Sequence, residues 1–280
     1  MSAADFGFLA NDNLPSREAI VTMCKTAGYK CRGIPIHIQP SGPIVAWIKY
    51  GPNVTMAEAL TQDCVAKVLS ANPAAGVQVP RVYMAFSIDN PTYPIGYIVM
   101  EHIDAPDCDE KDYELVAKAV QTLISVPGPN LVPGPVGGGC VTHTFFVEWT
   151  SAITYDTVEE LQQHINGILR YMGDTRRVNL VADTSAGLRL CPCHINPGHF
   201  KKCRDGTVVA LDFSVTCFLP PSFFAVAMAM AGDIFTRKVA RHVNYPKSDD
   251  VGAMVSASYY LIPFGRNDIG QPGSFSFNLD

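Results

Sequence analysis

The sequence predicts an α+β protein in two parts: a β-rich N-terminal lobe carrying one long helix, then a mainly helical C-terminal lobe. Three observations predict it. Short apolar runs at residues 31–39, 44–50, 82–86 and 97–102 have the length of strands and are bounded by Pro, Gly, Asn or Asp. Residues 54–70 instead carry Ala57, Leu60, Cys64, Val65, Val68 and Leu69 at helical spacing. Beyond a hinge near residue 103 the longer periodic segments are helical. The expected division is therefore residues 1–103 and residues 104–280.

Taken in order, residues 15–29 read as a helix opened by Pro15-Ser16-Arg17-Glu18, with Ala19, Ile20, Met23 and Ala27 near one face. The first two strands are separated by Pro40-Ser41-Gly42-Pro43 and read as a β-hairpin. Residues 111–125 and 157–171 are further helices, the second with Asp156 as its cap. Between them, residues 127–139 form a Pro/Gly-rich loop. Residues 188–211 hold two short apolar runs around a polar loop, and Val208-Val209-Ala210-Leu211 is a buried strand. Residues 221–243 read as one helical segment, and the tail from Pro263 is irregular.

Composition bounds the function. Of 280 residues, 48% are apolar and 17% charged, enough to bury a large core. The formal charge of −5, with no long run of Lys or Arg, argues against nucleic acid or an anionic membrane as partner. The opening segment lacks the basic-then-apolar pattern of a signal peptide. The longest apolar stretch, 223–231, is too short to span a bilayer. A cytoplasmic protein with a small-molecule substrate is expected. Its nine cysteines have no framework spacing, and Cys191-Pro192-Cys193 is too tight for a zinc knuckle.

Several motifs resemble the aminoglycoside/choline phosphotransferase family, whose fold is protein-kinase-like. Ile48-Lys49-Tyr50-Gly51, with Lys49 nine residues ahead of Glu58, is similar to that family's strand lysine and helix glutamate. The resemblance implies that Lys49 reaches nucleotide phosphates and that Glu58 holds it. Residues 97–103, containing Glu101, resemble the hinge strand whose backbone binds adenine. Cys193-His194-Ile195-Asn196-Pro197-Gly198-His199-Phe200, followed by a strand ending in Asp212-Phe213, is similar to the catalytic loop and the metal-binding Asp. Phe218-Leu219-Pro220-Pro221-Ser222-Phe223-Phe224 extends the likeness, most closely to fungal members of unknown substrate. It covers roughly residues 30–235. It implies a two-lobed kinase-like fold, one functional unit with a cleft between the lobes.

The loop departs from the family where the chemistry lies. The family's His, catalytic Asp and metal-binding Asn fall on Pro192, His194 and His199, and only Asp212 is retained as a metal ligand. Imidazole suits Mg²⁺ poorly. The phosphate-covering hairpin, 38–44, keeps one glycine, Gly42. Three readings stay open. In the first, the scaffold is reused for acid–base chemistry such as isomerisation, cyclisation or elimination on a small apolar metabolite. His194 is then the centre, His199 and Asp212 its partners, and His143, Phe145 and Phe146 line the substrate. No cofactor is then expected. In the second, the protein binds nucleotide or metabolite without turnover. In the third, phosphotransfer survives, with His194 as an imperfect base, Asp212 holding Mg²⁺, and ATP bound by Lys49, Glu58 and Glu101. A transition metal on His194, His199 and Asp212 is a further alternative. The first reading is the one taken from the sequence.

Overall fold

Strand and helix in the N-terminal part follow from which side chains can be buried together. The computed structural model of the protein describes residues 7–30, 33–39, 41–72 and 75–271. Helix α1, Arg17–Ala27, is capped by Ser16, whose Oγ accepts from the Ala19 amide. Strands β1 (Gly33–His37) and β2 (Ile44–Gly51) form the expected hairpin. Cys31, Arg32 and Pro40, included in the expected strand and turn, lie outside the described residues. Helix α2 (Met56–Ser70), strands β3 (Val77–Gln78), β4 (Val82–Ile88) and β5 (Ile95–Met100) follow. The antiparallel sheet has the order β1-β2-β5-β4.

Alternation along β2 sends Ala46, Ile48 and Tyr50 into one cluster with Ile20, Val21 and Cys24 of α1. The opposite face packs Val82, Ala85, Ile98 and Met100 against Ala59 of α2, with Trp47 at its edge. Strand β5, covered on both faces, is buried at every residue, and its sequence is accordingly apolar without alternation. Lys49 falls, by the same period of two, on the face shared with α2.

The chain divides into two units. One runs to Asp107 and includes Phe200–Ser214; the other is Cys108–His199 with Val215 onward. The division at residue 103 expected from sequence is thus displaced by a few residues, and a later segment returns to the first unit. The reason is strand pairing: β8 (Val208–Ala210) lies parallel to β3 and antiparallel to β7 (Phe200–Lys202). Asp107 bridges to Lys201 on the same side. Parallel pairing to a two-residue strand leaves no local sequence signal.

In the second unit helices α3 (Tyr113–Leu123) and α4 (Val158–Tyr171) match expectation, but Thr157 rather than Asp156 caps α4, accepting from the Glu160 amide. After the short α5 (Leu180–Asp183), β6 (Arg189–Pro192) pairs with β9 (Thr216–Leu219). The expected single helix over 221–243 is two, α6 (Ser222–Ala229) and α7 (Ile234–His242). The break occurs where Asp233 supplies an N-cap to Thr236 at 2.7 Å. Helix α8 (Val251–Leu261) was not anticipated, and a short 3₁₀ turn, Ile262–Phe264, opens the tail, which lies outside the described residues from 272. Helix α6 is apolar all round and buried from Ser222 to Met228, as a central helix must be. No helix among the described residues is long and apolar enough to cross a membrane.

Gly96 on β5 permits the approach that sets the start of α2: a Cβ there would lie 1.9 Å from the Val54 carbonyl oxygen. Gly96→Ala should therefore destabilise the protein by about 1–3 kcal/mol through overpacking. Urea unfolding checks it, and wild-type stability in the variant would mean that the 52–55 loop moves freely.

Candidate functional site

The β2 period and the α2 cap together bring Lys49 to Glu58. Thr55 Oγ1 accepts from the Glu58 amide at 3.1 Å, fixing the first turn of α2 so that Glu58 faces the sheet. Lys49 Nζ then donates to Glu58 Oε1 at 2.5 Å and to Asp212 Oδ1 at 2.8 Å. Asp212 follows β8 with φ of 57°, a left-handed conformation that Asp tolerates better than most residues. Its Oδ1 also accepts from the Ser214 hydroxyl at 2.7 Å and the Ser214 amide at 3.2 Å. Glu58 is almost fully buried, and its Oε2 has no hydrogen-bond partner among the described residues.

One ammonium between two carboxylates leaves a net charge of −1, so the group holds protons readily. Burial opposes the Lys49 charge, but Glu58 and Asp212 outweigh it and raise the lysine above its ordinary range. Burial likewise raises the Glu58 carboxyl, against the pull of Lys49 and with the help of Asp212.

In the second unit the loop after β6 carries His194, exposed, and His199, partly buried. Their rings meet edge to face at 4.9 Å, and His199 Nδ1 lies 3.3 Å from the His194 carbonyl oxygen. Asn196 Oδ1 accepts from the Gly198 amide, and the Thr236 hydroxyl donates to Ile195 O at 2.9 Å, so the loop is held from within and from α7. The Trp149 ring stands 5.1 Å from His194. Trp149 comes from a strained turn: it and Glu148 have φ of 60° and 53°. Such positions cost about 1–3 kcal/mol each. Asn267 offsets that cost. Its Oδ1 accepts from Val147 N at 2.8 Å, and its Nδ2 donates to Val147 O and Thr150 O at 2.8 and 2.7 Å. The result is a rigid turn presenting a tryptophan 41% exposed. Trp149 lies in the same short aromatic segment of sequence as Phe145 and Phe146. Its only local signal is the charged Glu148 that interrupts the apolar run.

His143, Phe145 and Phe146, expected to line the substrate, are core residues. His143 is 0% exposed, Phe145 1% and Phe146 2%. His143 Nδ1 accepts from the Phe145 amide at 2.9 Å, which leaves Nε2–H to donate to Phe223 O at 3.1 Å. Burial pushes its pKa down to about 3, so the ring is neutral. The stability its neutral form lends is complete above pH ~6.5 and lost as pH falls toward the folded value. A hydrogen-bonded ring enclosed in this way cannot meet a substrate. Glu101 lies just past β5 and closes its pairing with the start of β4: its amide donates to Arg81 O at 2.8 Å, and its Oε2 accepts from the Arg81 amide at 3.3 Å. His194 and His199 belong to one unit and Asp212 to the other, and among the described residues no group of three or more His, Cys, Asp or Glu is placed to hold a metal ion.

No protein-family model matches the chain, and no curated protein matches it significantly. Solved structures do resemble it. A choline kinase from Streptococcus pneumoniae is 12% identical, with 91% of this chain and 92% of that chain covered at a TM-score of 0.41. A microcompartment-associated aminopropanol kinase is 10% identical, covering 92% and 91%, at 0.45. An aminoglycoside phosphotransferase from Alicyclobacillus acidocaldarius is 15% identical, covering 91% and 79%, at 0.40. At such scores these likenesses transfer no function, and the chemistry rests on the chain's own residues.

Because the Lys49 pKa is raised, the stability it contributes is present below pH ~10.5 and lost as pH climbs through the folded value. Lys49→Met should thus be less stable than wild type by about 1–3 kcal/mol at pH 7. The difference should shrink once the pH exceeds the lysine's raised folded value. Paired urea titrations at the two pH values measure it, and a gap independent of pH would show that packing, not charge, holds the lysine.

Proposed function

We propose that the chain is a kinase-like enzyme acting on a small molecule, and that its N-terminal unit binds a Mg²⁺-nucleotide through Lys49 and Asp212. The observation that supports this is the Lys49 ammonium held between Glu58 and Asp212 in a buried, net-negative group. The buried acceptor Glu58 Oε2 is left unsatisfied beside this pair of ion contacts, and an unpaired buried oxygen calls for a reason beyond stability. The residues suit the ligand. Asp212 offers hard oxygen donors, and Mg²⁺ is commonly bound by one carboxylate with phosphates and waters completing its shell. Asp212 would hold the cation and Lys49 the phosphate oxygens, with Glu58 keeping the ammonium in place. His199, standing where the resembled family has Asn, adds no suitable donor.

The nucleotide, when bound, supplies a transferable phosphoryl group. His194, an exposed imidazole in ring contact with Trp149 and His199, is proposed to accept the proton of the acceptor's hydroxyl. The exposed Trp149 face beside it offers an apolar or cationic part of the acceptor a surface. A second reading keeps His194 as an acid–base centre and drops phosphate. The contact of its ring with Trp149 and His199, which orients an exposed imidazole, favours that version.

Titration calorimetry separates them. Mg²⁺-ATP should bind with micromolar to low-millimolar affinity, and Lys49→Ala and Asp212→Ala should each weaken it about tenfold or more. His194→Ala should leave nucleotide affinity intact while lowering turnover of the native metabolite by ~10²-fold or more. That metabolite is found by comparing extracts from a host with and without the gene. Absence of nucleotide binding together with a His194-dependent turnover would replace the phosphotransfer reading with the second one. Full activity in a folded His194→Ala variant would remove the histidine from both.

A further inference from the structure

A pocket of about 290 Å³ lies within the C-terminal unit and shares no lining residue with the His194 loop. Its apolar wall is made by Leu219 at the end of β9, Phe224 on α6 and Tyr245, the last two meeting edge to face at 5.2 Å. The wall is held in place. Gln121 on α3 grips both backbone groups of Asn244, donating to its carbonyl at 2.9 Å and accepting from its amide at 2.6 Å, which fixes the loop carrying Tyr245.

Two charged residues line the pocket. Asp183 is engaged: its Oδ2 accepts from the Ser222 amide at 2.8 Å. Arg189, on β6, is not. Its backbone is paired on either side, to Leu219 and Pro127, and its side chain is partly buried. Among the described residues the guanidinium makes no hydrogen bond and no ion pair. A guanidinium carries five N–H donors in a planar fork suited to a carboxylate, and partial burial without a partner is unfavourable.

We propose that this pocket binds a small monocarboxylate with an apolar body. The carboxylate is taken by the Arg189 fork, and the body lies against Leu219, Phe224 and Tyr245. The volume corresponds to roughly ten water-sized groups, enough for one ring or a short chain beside the carboxylate. Asp183 at the same pocket disfavours a second negative charge, which excludes dicarboxylates and phosphate monoesters as the best ligands. The proposal is independent of nucleotide binding.

The probe is 3-phenylpropionate, with 3-phenylpropan-1-ol and 3-phenylpropylamine as matched controls, titrated by ligand-observed NMR at neutral pH. The carboxylate should bind at least about tenfold more tightly than either control. Arg189→Gln should remove that preference, and Arg170→Gln, at an exposed residue of α4 outside the pocket lining, should keep it. Equal binding of the acid and the alcohol by the wild-type protein would overturn the proposal. So would a preference that survives in Arg189→Gln or disappears in Arg170→Gln, and so would absence of carboxylate binding at 10 mM, about the weakest affinity that occupies such a pocket usefully. Should Arg189→Gln fail to fold, the wild-type comparison of acid with alcohol decides the matter alone.

Discussion

The Lys49 ammonium joins three pieces of chain that have no local reason to meet. Glu58 is nine residues away on α2, and Asp212 is 163 residues away, after β8. Each arrives by a different device. The pleat of β2 turns Lys49 toward α2, the Thr55 cap sets the phase of Glu58, and the pairing of β8 with β3 brings Asp212 back to the N-terminal unit. A buried ion group of this kind is weak evidence of net stability, since desolvation consumes much of the Coulombic gain.

The second unit uses its polar residues differently. His143 and His164 are enclosed and neutral, each with both ring nitrogens engaged, His164 between Tyr155 at 2.6 Å and Ile269 O at 2.9 Å. They serve as hydrogen-bonding core residues, and burial lowers the pKa of both. His194 lies in the opposite environment, exposed and in ring contact only along its faces and edges. The Asn267 clamp connects these regimes. A nearly buried amide spends its bonds on holding a strained turn, and the turn puts a large aromatic surface where solvent can reach it.

Strain of this sort is informative because it is costly. Asp212, Glu148 and Trp149 are the positive-φ residues other than glycine among the described residues; Asp212 belongs to the Lys49 group of the first unit, and the other two form the turn beside His194 in the second. Folding tolerates them where neighbours over-determine the backbone: Ser214 at Asp212, Asn267 at the Trp149 turn. The same economy explains Gly96, where absence of a side chain lets the chain cross closely before α2.

Local regularity was legible in the sequence. The hairpin of β1 and β2, the long α2, the apolar β5 and helices α3 and α4 all announce themselves through periodicity or caps, because those signals depend only on near neighbours. The Lys49–Glu58 pairing was legible only through the resemblance to kinase-like phosphotransferases, because nine residues between a strand and a helix fix no contact by themselves. What the tertiary structure decided is of another kind. It returned residues 200–214 to the first unit through a parallel pairing with a two-residue strand. It split the 221–243 helix at Asp233, whose cap competes with continuation. It placed His143, Phe145 and Phe146 inside and Trp149 outside, although all belong to one aromatic run. Composition cannot distinguish a buried aromatic from a presented one. That depends on whether the backbone turns between them, and here the turn is held by Asn267, more than a hundred residues away.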